Sequence, residues 1–180
     1  MKHQKSHEVA LTGMLFALSM ALSFFESAIA PLLGLMPAMK LGLSNIVVMY
    51  AVLFLRRRTV FCLVMLKALF AFLTRGTTAG FLSLCGGTLS FLVFCLLLAL
   101  PIPVTGYIFS VSGALAHNIG QLLGAAVILS DKMAMAYAPV LLVAGLIVGS
   151  LTYGISHALF PALLKVAPQV EKKTGKQIKF

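Results

Sequence analysis

Long, nearly uninterrupted apolar runs, separated by charges, proline or glycine, recur along the whole of this chain. A run of about 20 apolar residues, wound as a helix, matches the ~30 Å hydrocarbon core of a bilayer. The runs fall at about 9–25, 41–55, 59–73, 81–100, 107–129 and 136–160. They lack the short alternating pattern of transmembrane barrel strands, and in lipid only helices and closed barrels satisfy their own backbone. The expected fold is therefore all-α, an integral membrane bundle of about six transmembrane helices over 1–164 with a basic tail at 165–180. Composition agrees: 61% of residues are hydrophobic, 10% are charged and the mean hydropathy is +1.06. Spans that fill 180 residues leave no room for a soluble catalytic domain.

The first run follows Lys2 and Lys5 and precedes Ala28-Ile29-Ala30, an arrangement superficially like a secretory signal. Its length, and the membrane character of everything after it, favour a retained first span. The formal charge of +10 does not imply nucleic acid, because Arg56, Arg57, Arg58, Lys165, Lys172, Lys173, Lys176 and Lys179 all flank apolar segments. With Lys2 and Lys5 they place ten basic residues on one face of a six-span bundle, against Lys40, Arg75 and Lys132 on the other. Basic residues favour the cytoplasm, so both termini are expected inside a multi-pass protein. Cys62, Cys85 and Cys95 sit in apolar runs and read as buried thiols. Neither a metal site nor a cofactor is expected.

Several residues break the apolar pattern. Lys67 lies inside the third run, eight residues beyond Thr59, which puts it about 12 Å past the arginine triplet on a helix. A charge there needs water, a partner or a ligand. The alternatives are a functional cavity and a structural pairing with Glu26 or with backbone carbonyls. In the fifth run AHNIGQL puts His117 and Gln121 one helical turn apart, with Gly113, Gly120 and Gly124 around them. Such groups bind a ligand or fasten helices together. Asn118 is about 100° round from His117, so the three are not expected to face one ligand together. Gly145, Gly149, Tyr153 and His157 form a drifting row in the sixth run that suits close packing, with Tyr153 a candidate cavity residue. Before the second run, PAMKLGLSN carries Lys40, Ser44 and Asn45; Ser44 is a candidate helix cap or ligand contact. Lys40, Lys67 and Arg75 outnumber Glu26 and Asp131 on the outer half, which favours a negatively charged ligand. Gly13, Ala17 and Ala21 recur every four residues on the first helix. That stripe suits packing within the bundle or docking of a separate membrane protein.

Three segments, PAMKLGLSNIV at 37–47, SLCGGTLS at 83–90 and SGALAHNIGQLL at 112–123, resemble the Gx transporter family, also labelled heptaprenyl diphosphate synthase component I. The resemblance runs from the first helix to about Leu159, and KLGLSNI and AHNIGQL are its most specific parts. Lys67 stands where that family usually has arginine and Cys85 where it usually has alanine, so a point charge replaces a forked donor at 67. The family in turn is similar to the substrate-binding components of energy-coupling-factor vitamin transporters. That likeness implies a bacterial plasma-membrane protein with a pocket toward the outer face. The expected ligand contacts are Lys40, Asn45, Lys67, Arg75, His117, Asn118 and Gln121. It also implies a transmembrane coupling subunit and ATPases as partners, docked through Gly13, Ala17 and Ala21, of which Ala17 and Ala21 match the Ala-x-x-x-Ala stripe of those substrate-binding components. The synthase label implies a second role, as a membrane component associated with prenyl chain elongation. Catalysis of that reaction needs paired aspartate-rich motifs holding magnesium, and the four acids here cannot assemble them. No enzymatic activity is expected of the chain alone. It also lacks a nucleotide-binding Gly-Lys-Ser/Thr loop.

Overall fold

The computed structural model describes residues 2–34, 40–101, 103–128, 131–166 and 178–179, with backbone alone at 2–8, 33, 131–134, 158–166 and 178–179. The expectations placed on 37–39, on 129 and on the tail lysines 172, 173 and 176 lie outside the described residues. Six α-helices run through the described chain: α1 (Lys2–Ile29), α2 (Asn45–Phe54), α3 (Arg57–Arg75), α4 (Thr77–Ala99), α5 (Gly106–Ile128) and α6 (Asp131–Val166). A 3-10 turn, Ala30–Leu33, follows α1. Two short strands, β1 (Val104–Thr105) and β2 (Ile178–Lys179), pair in parallel and tie the end of the chain to the α4–α5 connection.

Four segments, Val9–Leu32, Thr77–Ala99, Gly106–Ile128 and Met135–His157, are long and apolar enough to cross a membrane. Leu18, Phe25, Leu96, Leu123 and Ile147 are among the many large apolar side chains that these helices leave exposed. A soluble monomer does not carry so much apolar surface, and lipid is its natural solvent. The protein is an all-α membrane bundle. Helix α3, at 19 residues, is about 28 Å long but carries Arg57, Arg58, Lys67 and Arg75. Cys62, expected to be buried, is exposed on it.

The second run departs most from its expected form. Helix α2 has 10 residues, about 15 Å or half a bilayer, and begins at Asn45 rather than at 41. Hydropathy registers burial and not conformation, so a buried turn before a short helix reads as one longer helix. Gly42 has φ +99°, in the left-handed region open to glycine, and interrupts any helix through 40–44.

Helices α3 to α6 pack each against the next, α2 inserts against α3, α4 and α5, and α1 lies outside against α2 and α3. A single glycine, Gly76 at φ +89°, makes the reversal between α3 and α4. The larger core joins Val48 and Val52 of α2 to Leu63, Val64, Phe91, Phe94 and Phe109. A second core joins Leu41 and Leu82 to Ala125, Leu141, Ala144 and Val148. Glycines set the helix spacing. A Cβ at Gly113 would stand 2.0 Å from the Phe94 ring, and one at Gly120 would stand 2.6 Å from the Cys85 carbonyl oxygen. Of the row expected to pack on α6, the glycines do: a Cβ at Gly145 would lie 3.0 Å from Asn118 Nδ2 and one at Gly149 2.7 Å from the Val111 Cα, and Ser110 Oγ donates to the Gly149 carbonyl at 2.8 Å, whereas His157 is exposed.

Candidate ligand-binding site

The polar residues that interrupt the apolar runs gather around segment 40–45. Ser23 and Glu26 come from α1, Lys67 from α3, Ser90 from α4, and His117, Asn118 and Gln121 from α5; all are buried, as are Lys40, Ser44 and Asn45. Non-helical backbone inside an apolar bundle must find partners for its N–H and C=O groups. Side chains distant in sequence provide them. Glu26 Oε1 accepts from the Gly42 N–H and, at 2.9 Å, from the Leu43 N–H. The Gln121 amide pairs with both backbone groups of Lys40: Oε1 accepts its N–H at 2.9 Å and Nε2 donates to its carbonyl at 2.9 Å.

The other α5 residues meet the same segment despite their angular spacing: Asn118 Oδ1 accepts from Gln121 Nε2 at 3.5 Å and, like His117, flanks Gly42. Asn118 Nδ2 donates to the Leu141 carbonyl of α6 at 2.6 Å. His117 turns toward α4 and segment 40–45, where a Cβ at Gly86 would lie 2.9 Å from its Nδ1 and one at Gly42 3.3 Å from its Cδ2. Asn45 Nδ2 donates to Ser90 Oγ at 2.7 Å and to the Gly113 carbonyl at 3.1 Å. Asn118, Gln121 and the Asn45 amide nitrogen therefore hold the chain to itself.

The cations retain capacity. Lys67 Nζ donates to the Ser44 carbonyl at 3.0 Å, the backbone pairing that was one of its two sequence readings, and a lysine has two further N–H donors. Lys40 Nζ donates to Ser23 Oγ. Arg75, at the end of α3, has both terminal nitrogens buried without a hydrogen-bond partner among the described residues. Glu26 lies within electrostatic reach of Lys40, Lys67 and Arg75. Its Oε2, with Ser44 Oγ, Asn45 Oδ1 and His117 Nε2, is buried and unpartnered among the described residues. Three cations thus lie within electrostatic reach of one carboxylate, and a buried imidazole and hydroxyl retain unused capacity. This arrangement suits an anion.

Two expectations need correction. Tyr153 stands away from this cluster, stacked edge-on against Tyr107 at 5.6 Å near the β1 end of α5. The stripe Gly13, Ala17 and Ala21 is exposed, and a Cβ at Gly13 would meet nothing within 4 Å among the described residues, so the stripe does not pack against them. Sequence reasoning singled out Glu26 only as a partner for Lys67 and as a counter-charge on the outer half. Its place on the same face as Ser23 and Ser19, at helical spacing, was the available signal for a polar inner face on α1. No group of three histidine, cysteine or acidic residues able to hold a metal occurs among the described residues.

No curated protein and no solved structure matches the chain. The model of one family, heptaprenyl diphosphate synthase component I, matches residues 15–159, which takes in every helix from α2 to α5 and most of α1 and α6. This membrane bundle belongs to the heptaprenyl diphosphate synthase component I family.

Proposed function

We propose that this protein is a membrane-embedded substrate-binding component for a small anionic ligand of the vitamin or cofactor kind, and that it moves that ligand with a separate coupling subunit and ATPases. The observation that carries the reading is the buried excess of positive charge at Lys40, Lys67 and Arg75 around Glu26, with donors still unused. Buried cations without counter-ions are costly, and a ligand anion would supply what the chain does not. The proposed topology has six crossings and both termini in the cytoplasm, which puts the cluster in the outer half. In it, segment 40–44 and α2 together make the second crossing, with α2 as its inner half. Cytoplasmic labelling of a cysteine placed at position 131 would overturn that orientation.

The family's description favours a second reading, in which the protein is a non-catalytic membrane partner of a prenyl diphosphate synthase. Small molecules retained by gently purified protein, identified by mass spectrometry, separate the two. A vitamin-like or redox-cofactor-like anion supports transport; a prenyl diphosphate supports the accessory role. Lys67→Met is expected to insert normally, because it removes an expensive charge, and to lose the retained ligand. Loss of the variant from the membrane, with Lys67→Arg normal, would make Lys67 a structural residue and remove the main support for a ligand there.

A further inference from the structure

Segment 40–45 contains a backbone seat for an anion, and a side chain of the protein fills it. Gly42, at φ +99°, is followed by Leu43 on the ordinary negative-φ side, and their successive N–H groups point at one oxygen. Successive N–H groups in such a turn form a concave nest that binds anions. The oxygen is Glu26 Oε1, at 2.9 Å from the Leu43 nitrogen and bonded also to the Gly42 N–H. Resting on the anion-binding reading above, we infer that this nest is the seat of a carboxylate carried by the ligand, and that Glu26 is the internal group it displaces.

Two buried backbone groups do not by themselves call for a charge. On the other side of the same segment the neutral amide of Gln121 satisfies both backbone groups of Lys40. A buried carboxylate is the costlier choice, and Glu26 leaves half of it unused, since Oε2 has no donor among the described residues. The surroundings hold capacity for a second anion group. The His117 ring lies beside the nest, with Cδ2 3.3 Å from where a Gly42 Cβ would stand, and the Nε2 bonded to that carbon is buried and unpartnered among the described residues. Lys67 Nζ, fixed on the Ser44 carbonyl at 3.0 Å, keeps two further N–H donors on the same turn. Exchange breaks two hydrogen bonds to Glu26 and forms the same two to the incoming group. One carboxylate replaces another there, so the charge in the nest is unchanged.

The test uses the full chain in detergent at pH 7.5, well above a carboxylate pKa of about 4, with acetate, methanesulfonate and acetamide as probes. Glu26→Ala removes a CH2–carboxylate group, one hydrogen short of acetate, and so opens a space of that shape. Hydrogen exchange at Gly42 and Leu43 is expected to accelerate in Glu26→Ala and to slow again, saturably, as acetate is added. Acetate should bind this variant at least about tenfold more tightly than the wild type, where it must displace a carboxylate tethered at high effective concentration. Glu26→Gln keeps an acceptor oxygen for both N–H groups without the charge and should fall between the two; it carries the test alone where the alanine variant does not fold. No gain in acetate affinity in the folded variants, or a gain without slowed exchange at 42–43, would overturn the seat. Methanesulfonate binding as well as acetate would overturn the carboxylate and leave an anion seat, and acetamide binding as well would reduce Glu26 to a staple. A failed acetate test, with retained ligand still lost from Lys67→Met, would remove this seat and leave the anion-binding reading standing. Acetate binding to Glu26→Ala that Lys67→Met leaves unchanged, with no loss of retained ligand, would keep the seat and overturn that reading.

Discussion

Helices α5 and α1 each carry small residues at helical spacing, yet one buries them and the other displays them. Of the best spanning window, 56% is buried in α5 and 17% in α1. On α5, Gly113 receives the Phe94 ring, Gly120 meets the backbone of Cys85 and Gly86, and Gly124 meets Leu82 and Cys85. On α1, Gly13 faces open space, and Ala17 and Ala21 are exposed beside Met14, Leu18 and Phe25. A small-residue pattern lets another helix come close without saying which helix comes. The other face of α1 is different again, because Ser19, Ser23 and Glu26 point into the bundle. Its ties to the rest of the protein are thus of two kinds: Leu11, Leu15, Phe16 and Leu22 pack on the larger core, and the polar groups reach segment 40–45.

The largest expected effect comes from enlarging an α5 glycine. Gly120→Leu forces a Cβ to 2.6 Å from the Cys85 carbonyl oxygen and 2.8 Å from the Gly86 Cα, and backbone atoms cannot rotate out of the way. A loss of about 3 kcal/mol or more is expected, seen as a collapse of the monodisperse fraction and thermal midpoint after detergent extraction. Gly13→Leu should change the same readouts by no more than about 0.5 kcal/mol. Equal damage from both substitutions would break the contrast between the two helices.

A smaller loss is expected at the junction where α5 holds segment 40–45. Gln121→Leu leaves the Lys40 N–H and carbonyl without their side-chain partner, at a cost of about 2 kcal/mol. Hydrogen exchange should accelerate at 40–43 and remain slow through α4. Unchanged exchange at Lys40 would show that its backbone is held by something other than Gln121.

These two regions also show what sequence reveals. The helices of α1 and α4 to α6 are legible because each is a continuous apolar run, and lipid leaves the backbone no other local solution. Lys67 and His117 stand out because a charge or imidazole in such a run demands a reason. Segment 40–44 is not legible, because the groups that release it from helix geometry lie elsewhere: Glu26 is 16 residues from Gly42, and Gln121 is 81 from Lys40. The direction of the α1 stripe is hidden for a related reason. It depends on the opposite face, where Ser23 meets Lys40 and Glu26 meets Gly42, and those contacts exist only once the bundle has closed.

The smallest effect on the fold is expected where the effect on function should be greatest, at Ala17 and Ala21. Both lie on the face of α1 that nothing among the described residues covers, so a tryptophan at either position extends into lipid and displaces no neighbour. The Ala17→Trp, Ala21→Trp double variant should keep its thermal midpoint to within about 0.5 kcal/mol of stability. Ligand affinity should also hold, because Ser23 and Glu26 face the other way and the cluster they serve is untouched. A coupling subunit that approaches α1 closely would nevertheless meet two indole rings where it needs small side chains. Binding and transport should then separate: normal affinity in the purified variant, with partner co-purification and cellular uptake both lost. Full uptake by the double variant would remove α1 as the docking face and turn the exposed stripe into an ordinary lipid-facing surface.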